Sequence, residues 1–236
     1  MSYGLAVTND HGTIQIDQDF SNLALRASGQ AVLTEQAVGG TGYNVWAAEI
    51  VWHGEFPIIF WQSSHNLVLL RTQINGSEHR FLIAGPRDGA NYHVFNWFIY
   101  DRPPPSGERF GLQIWDGVGR QVFDSAHRYL EIVHLAEIGQ SSQADAGNNH
   151  DVGPGNWIVT NGSFQWSLGS IPVPQQGGNG GTQIGGYIYY WRAHGIRNTG
   201  MGLNVRDMFI WQSGGPVNYQ NVGGGPMYAM IARAPE

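Results

Sequence analysis

One short pattern occurs twice in this chain, and it constrains the fold more than any other feature. YGLAVTNDHGTIQID and FGLQIWDGVGRQVFD begin 107 positions apart, at Tyr3 and Phe110, and they align without a gap. Apolar residues at alternate positions, followed by a polar turn with glycine, predict a β-hairpin in each copy. The residues that define the repeat are Gly4, Leu5, Gly12 and Asp17 in the first copy and Gly111, Leu112, Gly119 and Asp124 in the second.

The stretch between the copies predicts a boundary. Arg102–Arg109 contains three consecutive prolines, which are not tolerated inside a sheet and favour an extended spacer. We therefore predict an N-terminal β module at 1–102, a proline-rich linker at 103–109 and a C-terminal β module at 110–236. Each module is expected to end in an apolar strand, YHVFNWFIYDRP in the first and GPMYAMIARAPE in the second.

The second module is predicted to carry an insertion with glycine-rich loops. FWQSS at Phe60–Ser64 is similar to IWQSG at Ile210–Gly214, but at a different spacing, which implies an insertion of roughly 40 residues. Glycine is dense in two stretches, Gln175–Gly186 and Ser213–Gly225. Glycine there costs conformational entropy unless a neighbour orders the backbone, so we expect loops.

The remaining sequence favours strands throughout. Short runs rich in β-branched and aromatic residues, such as AEIVW, PIIFW, HRFLIAG and NWIVT, are separated by Gly, Pro, Asn or Ser. The exception is Ser125–Gly139, whose apolar spacing alone suggests a helix. Because the matching segment of the first copy alternates, we predict a strand there too. The expected fold is all-β, with two duplicated antiparallel β-sandwich-like modules.

Composition excludes several classes of function. The net charge is −6, which argues against nucleic acid as the main partner because phosphate binding needs clustered positive charge. The absence of cysteine excludes disulfides and thiolate-bound metals. We see no signal peptide and no apolar run long enough to span a membrane, so we expect synthesis in a cytoplasm.

No catalytic, cofactor-binding or metal-binding residue is predicted. The chain lacks the motifs of a nucleophile elbow, a zinc protease, a phosphate-binding loop or a dinucleotide site. Asn149-His150-Asp151 is interpreted as a solvated turn, and His53 with Glu55 as the tip of a hairpin. Two carboxylates brought together by the fold would still allow glycoside hydrolysis, which stays a lesser alternative.

Aromatic residues are the best candidates for binding. Trp46, Trp52, Trp61 and Trp97 lie within apolar runs, which favours burial in a core or between subunits. The segment GYIYYWRAHG carries rings at successive positions, so both faces of a strand would present aromatic groups. We interpret these residues, with one tyrosine of the second glycine-rich stretch, as contacts for another subunit or a glycan: Tyr187, Tyr189, Tyr190, Trp191 and Tyr219.

The repeated GL hairpin resembles the opening element of small β-rich tail, tail-fibre and baseplate proteins of tailed bacteriophages. YHVFNWFIYDRPPP is similar to the aromatic strand and proline stretch that close such a module. The resemblance implies a virion structural component that assembles with other tail proteins, with no catalytic residues to assign. It also implies a homo-oligomer, such as a trimer, that is located in the virion tail after synthesis in the bacterial host.

Three functions therefore stand as alternatives. The first is a structural subunit of a phage tail tip, baseplate or fibre that mediates assembly. The second is a module that recognises bacterial surface glycan through its aromatic residues. The third is a glycan-degrading tail enzyme.

Overall fold

The described part of the chain is all-β. The computed structural model describes residues 6–8, 14–17, 22–38, 43–86, 93–108, 110–138, 148–162, 166–176, 182–214 and 227–235. These residues contain strands, turns and extended segments, and they contain no helix. The prediction of an all-β fold with antiparallel sheets is confirmed, and the segment after the second hairpin forms a strand at Ile132–Ile138, as predicted.

The described residues form eighteen strands. In chain order they are β1 (Ala6–Thr8), β2 (Ile14–Asp17), β3 (Ala24–Val32), β4 (Thr34–Val38), β5 (Tyr43–His53), β6 (Ile58–Gln62), β7 (Val68–Asn75), β8 (Glu78–Ala84), β9 (Val94–Asp101), β10 (Gln113–Trp115), β11 (Gln121–Asp124), β12 (Ile132–Ile138), β13 (Asn148–Asp151), β14 (Trp157–Asn161), β15 (Trp166–Gln176), β16 (Thr182–Asn198), β17 (Gly202–Gly214) and β18 (Met227–Arg233).

The strands are arranged in five antiparallel sheets. The largest has six strands in the order β12-β18-β14-β6-β9-β3. Two sheets have four strands, in the orders β4-β5-β8-β7 and β13-β17-β16-β15, and the hairpins β1-β2 and β10-β11 form two-stranded sheets of their own. The six-stranded sheet takes three strands from each side of the proline-rich segment, so both halves of the chain contribute to one sheet.

The centre of the six-stranded sheet is buried on both faces. All five residues of β14 are buried, and Ile59, Phe60 and Trp61 of β6 are fully or almost fully buried. Because successive side chains of a strand point to opposite faces, this pattern requires apolar material on both sides of the sheet. Two hydrophobic clusters provide it.

The larger cluster packs the six-stranded sheet against the two four-stranded sheets. It combines Ile59, Trp61 and Ile231 of the first sheet with Ile83 of β8 and Leu203 of β17. The two four-stranded sheets form a second layer, and side chains on β6 and β14 also hydrogen-bond to the backbone of this layer. The Trp61 indole donates to the Ile196 carbonyl at 3.4 Å, and the Asn161 amide both accepts from and donates to the backbone of Leu69.

The two four-stranded sheets are also joined directly. Leu67, just before β7, and Ile196 of β16 exchange two backbone hydrogen bonds, with N···O distances of 2.9 and 2.7 Å. Both side chains are completely buried in the larger cluster. These bonds therefore connect the four-stranded sheet from the first half of the chain to the four-stranded sheet from the second half.

The smaller cluster lies on the opposite face of the six-stranded sheet. Its buried members include Phe60, Tyr100 and Ile158, and Leu23 and Leu130 pack against them. The Phe60 and Tyr100 rings meet edge to face, with centroids 5.7 Å apart. Burial of the phenol raises the pKa of Tyr100 to about 12.

The edges of the six-stranded sheet meet beside this cluster. The Leu25 amide donates to the Arg128 carbonyl at 2.7 Å, and the Leu130 amide donates to the Leu23 carbonyl at 2.9 Å. These bonds join the start of β3 to the residues that precede β12, although β3 and β12 lie at opposite edges of the sheet. The sheet therefore curls around the smaller cluster until its two edges touch.

The two halves of the six-stranded sheet pair their strands in the same way. The triplet β3-β9-β6 corresponds in order to β12-β18-β14, and β6 and β14 meet antiparallel at the centre through Trp61 and Val159. The ladder of β3 shifts register between Leu25 and Ala27, and that of β12 between Ile132 and His134, again 107 positions later. Duplication of entire modules, and the linker at 103–109, stay predictions.

Some finer expectations are wrong. Phe60–Gln62 lies in β6 of the six-stranded sheet, whereas Ile210–Gly214 lies in β17 of a four-stranded sheet, so FWQSS and IWQSG are not structural counterparts. The turn at Gly54 does not close a hairpin, because β5 and β6 belong to different sheets. The glycine-rich stretches are partly strand: Gln175, Gln176 and Thr182–Gly186 lie in β15 and β16, and 177–181 and 215–226 lie outside the described residues.

Removing a side chain from the larger cluster should destabilise both halves together. Ile231 is completely buried, so Ile231→Ala should lower the free energy of unfolding by about 2–5 kcal/mol, because it leaves a cavity. Ile74→Ala is the matched control, since Ile74 is 63% exposed, and it should change stability by less than about 1 kcal/mol. Urea denaturation measures both. Equal effects of the two substitutions would contradict the described packing.

Candidate functional site

The two predicted hairpins pair with the same register. In β1-β2, Ala6 faces Asp17 and Val7 faces Ile16, with a register shift after Val7. In β10-β11, Gln113 faces Asp124 and Ile114 faces Phe123, with the shift after Ile114. Each position, including the irregularity, recurs 107 residues later. The repeated sequence thus forms the same local structure twice.

Glycines of the repeat occupy backbone conformations that other residues adopt with strain. Gly111 has φ of +114°, and a Cβ atom there would lie 2.3 Å from Ser125 Oγ. That hydroxyl accepts a hydrogen bond from the Leu112 amide at 3.0 Å, which fixes the base of the hairpin. Gly119, at the tip, has φ of +81°. Gly4, Leu5 and Gly12 of the first copy lie outside the described residues.

The tip of the second hairpin is held by Asp116. Its carboxylate accepts from the amides of Val118 and Arg120 at 3.0 and 2.8 Å, and it also pairs with the Arg120 guanidinium at 2.7 Å. These bonds, led by the Arg120 amide, lower the pKa of Asp116 below its ordinary value. The tip is therefore ordered by its own residues.

Asp124 anchors the hairpin to the proline-rich segment. Its carboxylate is buried and accepts from the side chains of Ser106, Gln113 and Gln121 and from the Ala126 amide. The hydrogen bonds, that of Ser106 foremost, lower the pKa of Asp124 to about 2 in spite of its burial. Asp17, which corresponds to Asp124 in the first copy, is the last residue of β2, as Asp124 is the last residue of β11. The sequence marked this aspartate as a repeat position but did not indicate the partners that surround it.

The second hairpin exposes large apolar side chains. Phe110 is 88% exposed and Val118 is 77% exposed, and Leu112 is also exposed. Ile114 and Val122, by contrast, are buried against the body of the protein. The hairpin therefore leaves large apolar side chains exposed at both its base and its tip. We call Phe110, Leu112 and Val118 the hairpin surface.

A second apolar area lies at the edge of the six-stranded sheet. Leu135 of β12 and Tyr228 of β18 are exposed beside a shallow cavity of about 450 Å³ that Met230 also lines. Within the described residues β12 pairs with β18 alone, apart from the contact just before its first residue. An edge strand offers unpaired backbone groups, so this side is open to strand addition by another chain.

The aromatic residues that the sequence singled out are only partly located. Tyr187, Tyr189, Tyr190 and Trp191 lie in β16, which pairs with β15 on one side and β17 on the other. Tyr219 lies outside the described residues. Their role as interface or glycan contacts stays a prediction. Of the other tryptophans, Trp61 is buried, and Trp46, Trp52 and Trp97 pack against the larger cluster.

The histidines do not form a recognisable metal site in the described ranges. His150 lies in β13 rather than in a solvated turn, and its ring centroid is 6.4 Å from that of His134. Burial, together with the neighbouring His134, lowers the pKa of His150. No group of three or more potential ligands of the His, Cys, Asp and Glu types comes together among the residues that the structure describes.

Comparisons with protein-family models, with curated proteins and with solved structures found no match to this chain. Across the described ranges, no helix has the length and apolar character that a membrane span requires.

Gly111→Ala should loosen the base of the second hairpin. The positive φ and the approach to Ser125 Oγ should together cost about 1–3 kcal/mol. Hydrogen exchange at the amides of Leu112 and Ser125 should accelerate, since these residues close the hairpin. Gly117→Ala is the control, because a Cβ there meets nothing within 4 Å. Unchanged protection in the Gly111 variant would contradict the assigned geometry.

Asp124→Asn should remove a pH-dependent part of the stability. The pKa of Asp124 is lowered to about 2 in the folded protein, so its charged form contributes stability above about pH 4 that is lost as the pH falls towards 2. The amide cannot accept all four hydrogen bonds, and one buried donor left unpaired costs about 1–3 kcal/mol.

Melting temperatures of the wild type and the variant, measured from pH 6 to pH 2, test this linkage. The difference between them should be largest near neutral pH and should shrink below about pH 4. A difference that stays constant over this range would show that the Asp124 charge does not stabilise the fold.

Proposed function

We propose that this protein is a structural subunit of a larger assembly, in the class of phage tail tip, baseplate or tail-fibre proteins. The observation that carries the proposal is the hairpin surface, where Phe110 and Val118 are 88% and 77% exposed. Burying a large apolar side chain in an interface contributes about 1.5–3 kcal/mol. A subunit that presents such side chains on an anchored hairpin is suited to stable contacts with a neighbour.

The anchoring supports the same function. Asp124 and Ser125 fix the base of the hairpin and Asp116 fixes its tip, so the contact residues are held before binding. A pre-ordered contact loses less conformational entropy on association. The repeated register of β1-β2 supplies a second element of the same shape, which would let one subunit meet two neighbours in a similar way.

The proposed partners are other phage tail proteins and further copies of this chain. Closed rings of identical subunits are common in such assemblies, and a trimer or another state compatible with threefold symmetry is expected. The proposed location is the tail of the virion, after synthesis in the cytoplasm of the bacterial host. The phage assignment rests on the resemblance of the repeated GL hairpin and the closing aromatic strand, and the all-β architecture is compatible with it.

A second candidate function is attachment to bacterial surface glycan. It is favoured by a cleft beside the second hairpin that contains two tryptophans, two carboxylates and three arginines. A protein at a tail tip would combine both roles without conflict, because the cleft is separate from Phe110, Leu112 and Val118.

Light scattering after size-exclusion chromatography tests the assembly function. The wild type should elute as an oligomer or should bind purified tail particles of the phage that encodes it. The double substitution Phe110→Ser with Val118→Ser should shift it to a monomer or abolish binding to the particles. Ile74→Ser, at an exposed site on β7, should change neither property. A wild-type protein that is monomeric and does not bind the tail particles would refute the proposal.

A further inference from the structure

A cleft of about 460 Å³ lies where three parts of the chain meet. Its walls are the prolines Pro103–Pro105, the turn between β5 and β6 and the tip half of the β10-β11 hairpin. We propose that this cleft binds an acidic saccharide, that is, a sugar that carries a carboxylate. The inference goes beyond assembly and gives the second candidate function a defined site and ligand class.

Two tryptophans supply the apolar part of the cleft. Trp115 of β10 is 50% exposed and faces Gln121 across the hairpin, and both residues line the cleft. Trp52 of β5 is half-buried, and its indole donates to Asp101 Oδ2 at 2.9 Å, which fixes the ring. The C–H face of a sugar ring packs well against an indole. Half-exposed rings beside polar groups suit such a ligand better than a purely apolar one.

The polar side chains of the cleft are held in place before any ligand arrives. Arg102 forms an ion pair with Glu55 and lies over the Phe56 ring, 5.4 Å from its centroid. Arg120 is fixed by its pair with Asp116. Arg26 of β3 donates to the Arg102 carbonyl at 3.4 Å. Planar guanidinium groups in fixed positions can donate to ring hydroxyls and to a carboxylate with little loss of side-chain entropy.

The balance of donors and acceptors favours an acid. Asp101 is buried, and its carboxylate already accepts from Trp52 and from the amides of Glu55, Phe56 and Arg102. Glu55 is paired with Arg102. Three guanidinium groups line the cleft, and although Arg102 and Arg120 are paired with Glu55 and Asp116, each guanidinium has more N–H donors than its ion pair uses. A ligand rich in acceptors, such as a carboxylate, complements this surface.

Arg26 and Arg102 lie close together in the cleft, since the Arg26 guanidinium donates to the Arg102 carbonyl at 3.4 Å and both residues line the cleft. Guanidinium groups bind carboxylates with charge-assisted, often bidentate hydrogen bonds, so the acid is expected to lie towards Arg102 and Arg26.

Isothermal titration calorimetry on the full chain tests the site. The probes are a glucuronate-containing tetrasaccharide and the same tetrasaccharide with its carboxylates reduced to alcohols. The acidic form should bind at least fivefold more tightly than the reduced form. Trp115→Ala should weaken binding of the acidic form at least tenfold, and Arg26→Gln should remove most of the preference for the acid.

Ile74→Ser is the control for the tryptophan substitution, because Ile74 is an exposed apolar residue that lies outside both the cleft and the hairpin surface. It should leave saccharide affinity unchanged. Calorimetry reports saccharide binding and light scattering reports assembly, so a failure of the assembly proposal would remain distinguishable from a failure here. Matching melting temperatures would show that each variant is folded. Inorganic phosphate and a tetraglutamate peptide are titrated in parallel.

Three results would overturn the assignment. The first is no binding of either tetrasaccharide by the folded wild type. The second is equal affinity of the wild type and the Trp115 variant. The third is binding of phosphate or tetraglutamate without binding of the saccharide, which would reassign the cleft to a plain anion or an acidic peptide.

Discussion

The antiparallel contact between β6 and β14 is the constraint on which the rest of the structure depends. It joins Trp61 to Val159 at the centre of the six-stranded sheet and so unites the two halves of the chain. Both strands are buried on both faces, because Ile59 and Val159 enter the larger cluster while Phe60 and Ile158 enter the smaller one. Water is therefore excluded from this junction, and the backbone groups must satisfy one another or neighbouring side chains.

The two hairpins are not part of the six-stranded sheet. With both faces of the central strands already covered, β1-β2 and β10-β11 form separate two-stranded sheets. The second hairpin depends on polar anchors such as Asp124 more than on a core of its own. Its apolar residues Phe110, Leu112 and Val118 are exposed, and we propose that a neighbouring subunit covers them. The space between the hairpin and the proline segment forms the cleft that contains Trp52 and Trp115.

Local features of the fold could be predicted from the sequence because they depend on neighbouring residues. Enrichment in β-branched and aromatic residues identified strands such as Ile58–Gln62, and the spacing of 107 identified two hairpins whose register proves to be the same. The order of strands in the sheets could not be predicted, because β6 lies beside a strand almost a hundred residues away. The similarity of FWQSS to IWQSG wrongly suggested equivalent positions in the two halves, because a short apolar sequence can form a strand in more than one sheet.

The candidate site was the least predictable part. Arg26, Trp52, Arg102 and Trp115 come from four strands or their ends, and nothing in their local sequence indicates that they meet. The sequence directed attention to the aromatic run in β16, because adjacent rings are visible in a single segment. Asp124 was visible as a repeated position, but its value as an anchor depends on Ser106 and Gln121, which the fold brings to it.

Separate expression of residues 1–108 and 109–236 tests the shared sheet most directly. Because β6 and β14 bury each other's edges, each fragment alone should lack a cooperative thermal transition. Mixing the two should restore the β-sheet circular dichroism and the melting transition of the intact chain, in a one-to-one complex. Two fragments that each melt cooperatively at the temperature of the intact protein, and that do not associate, would contradict this account.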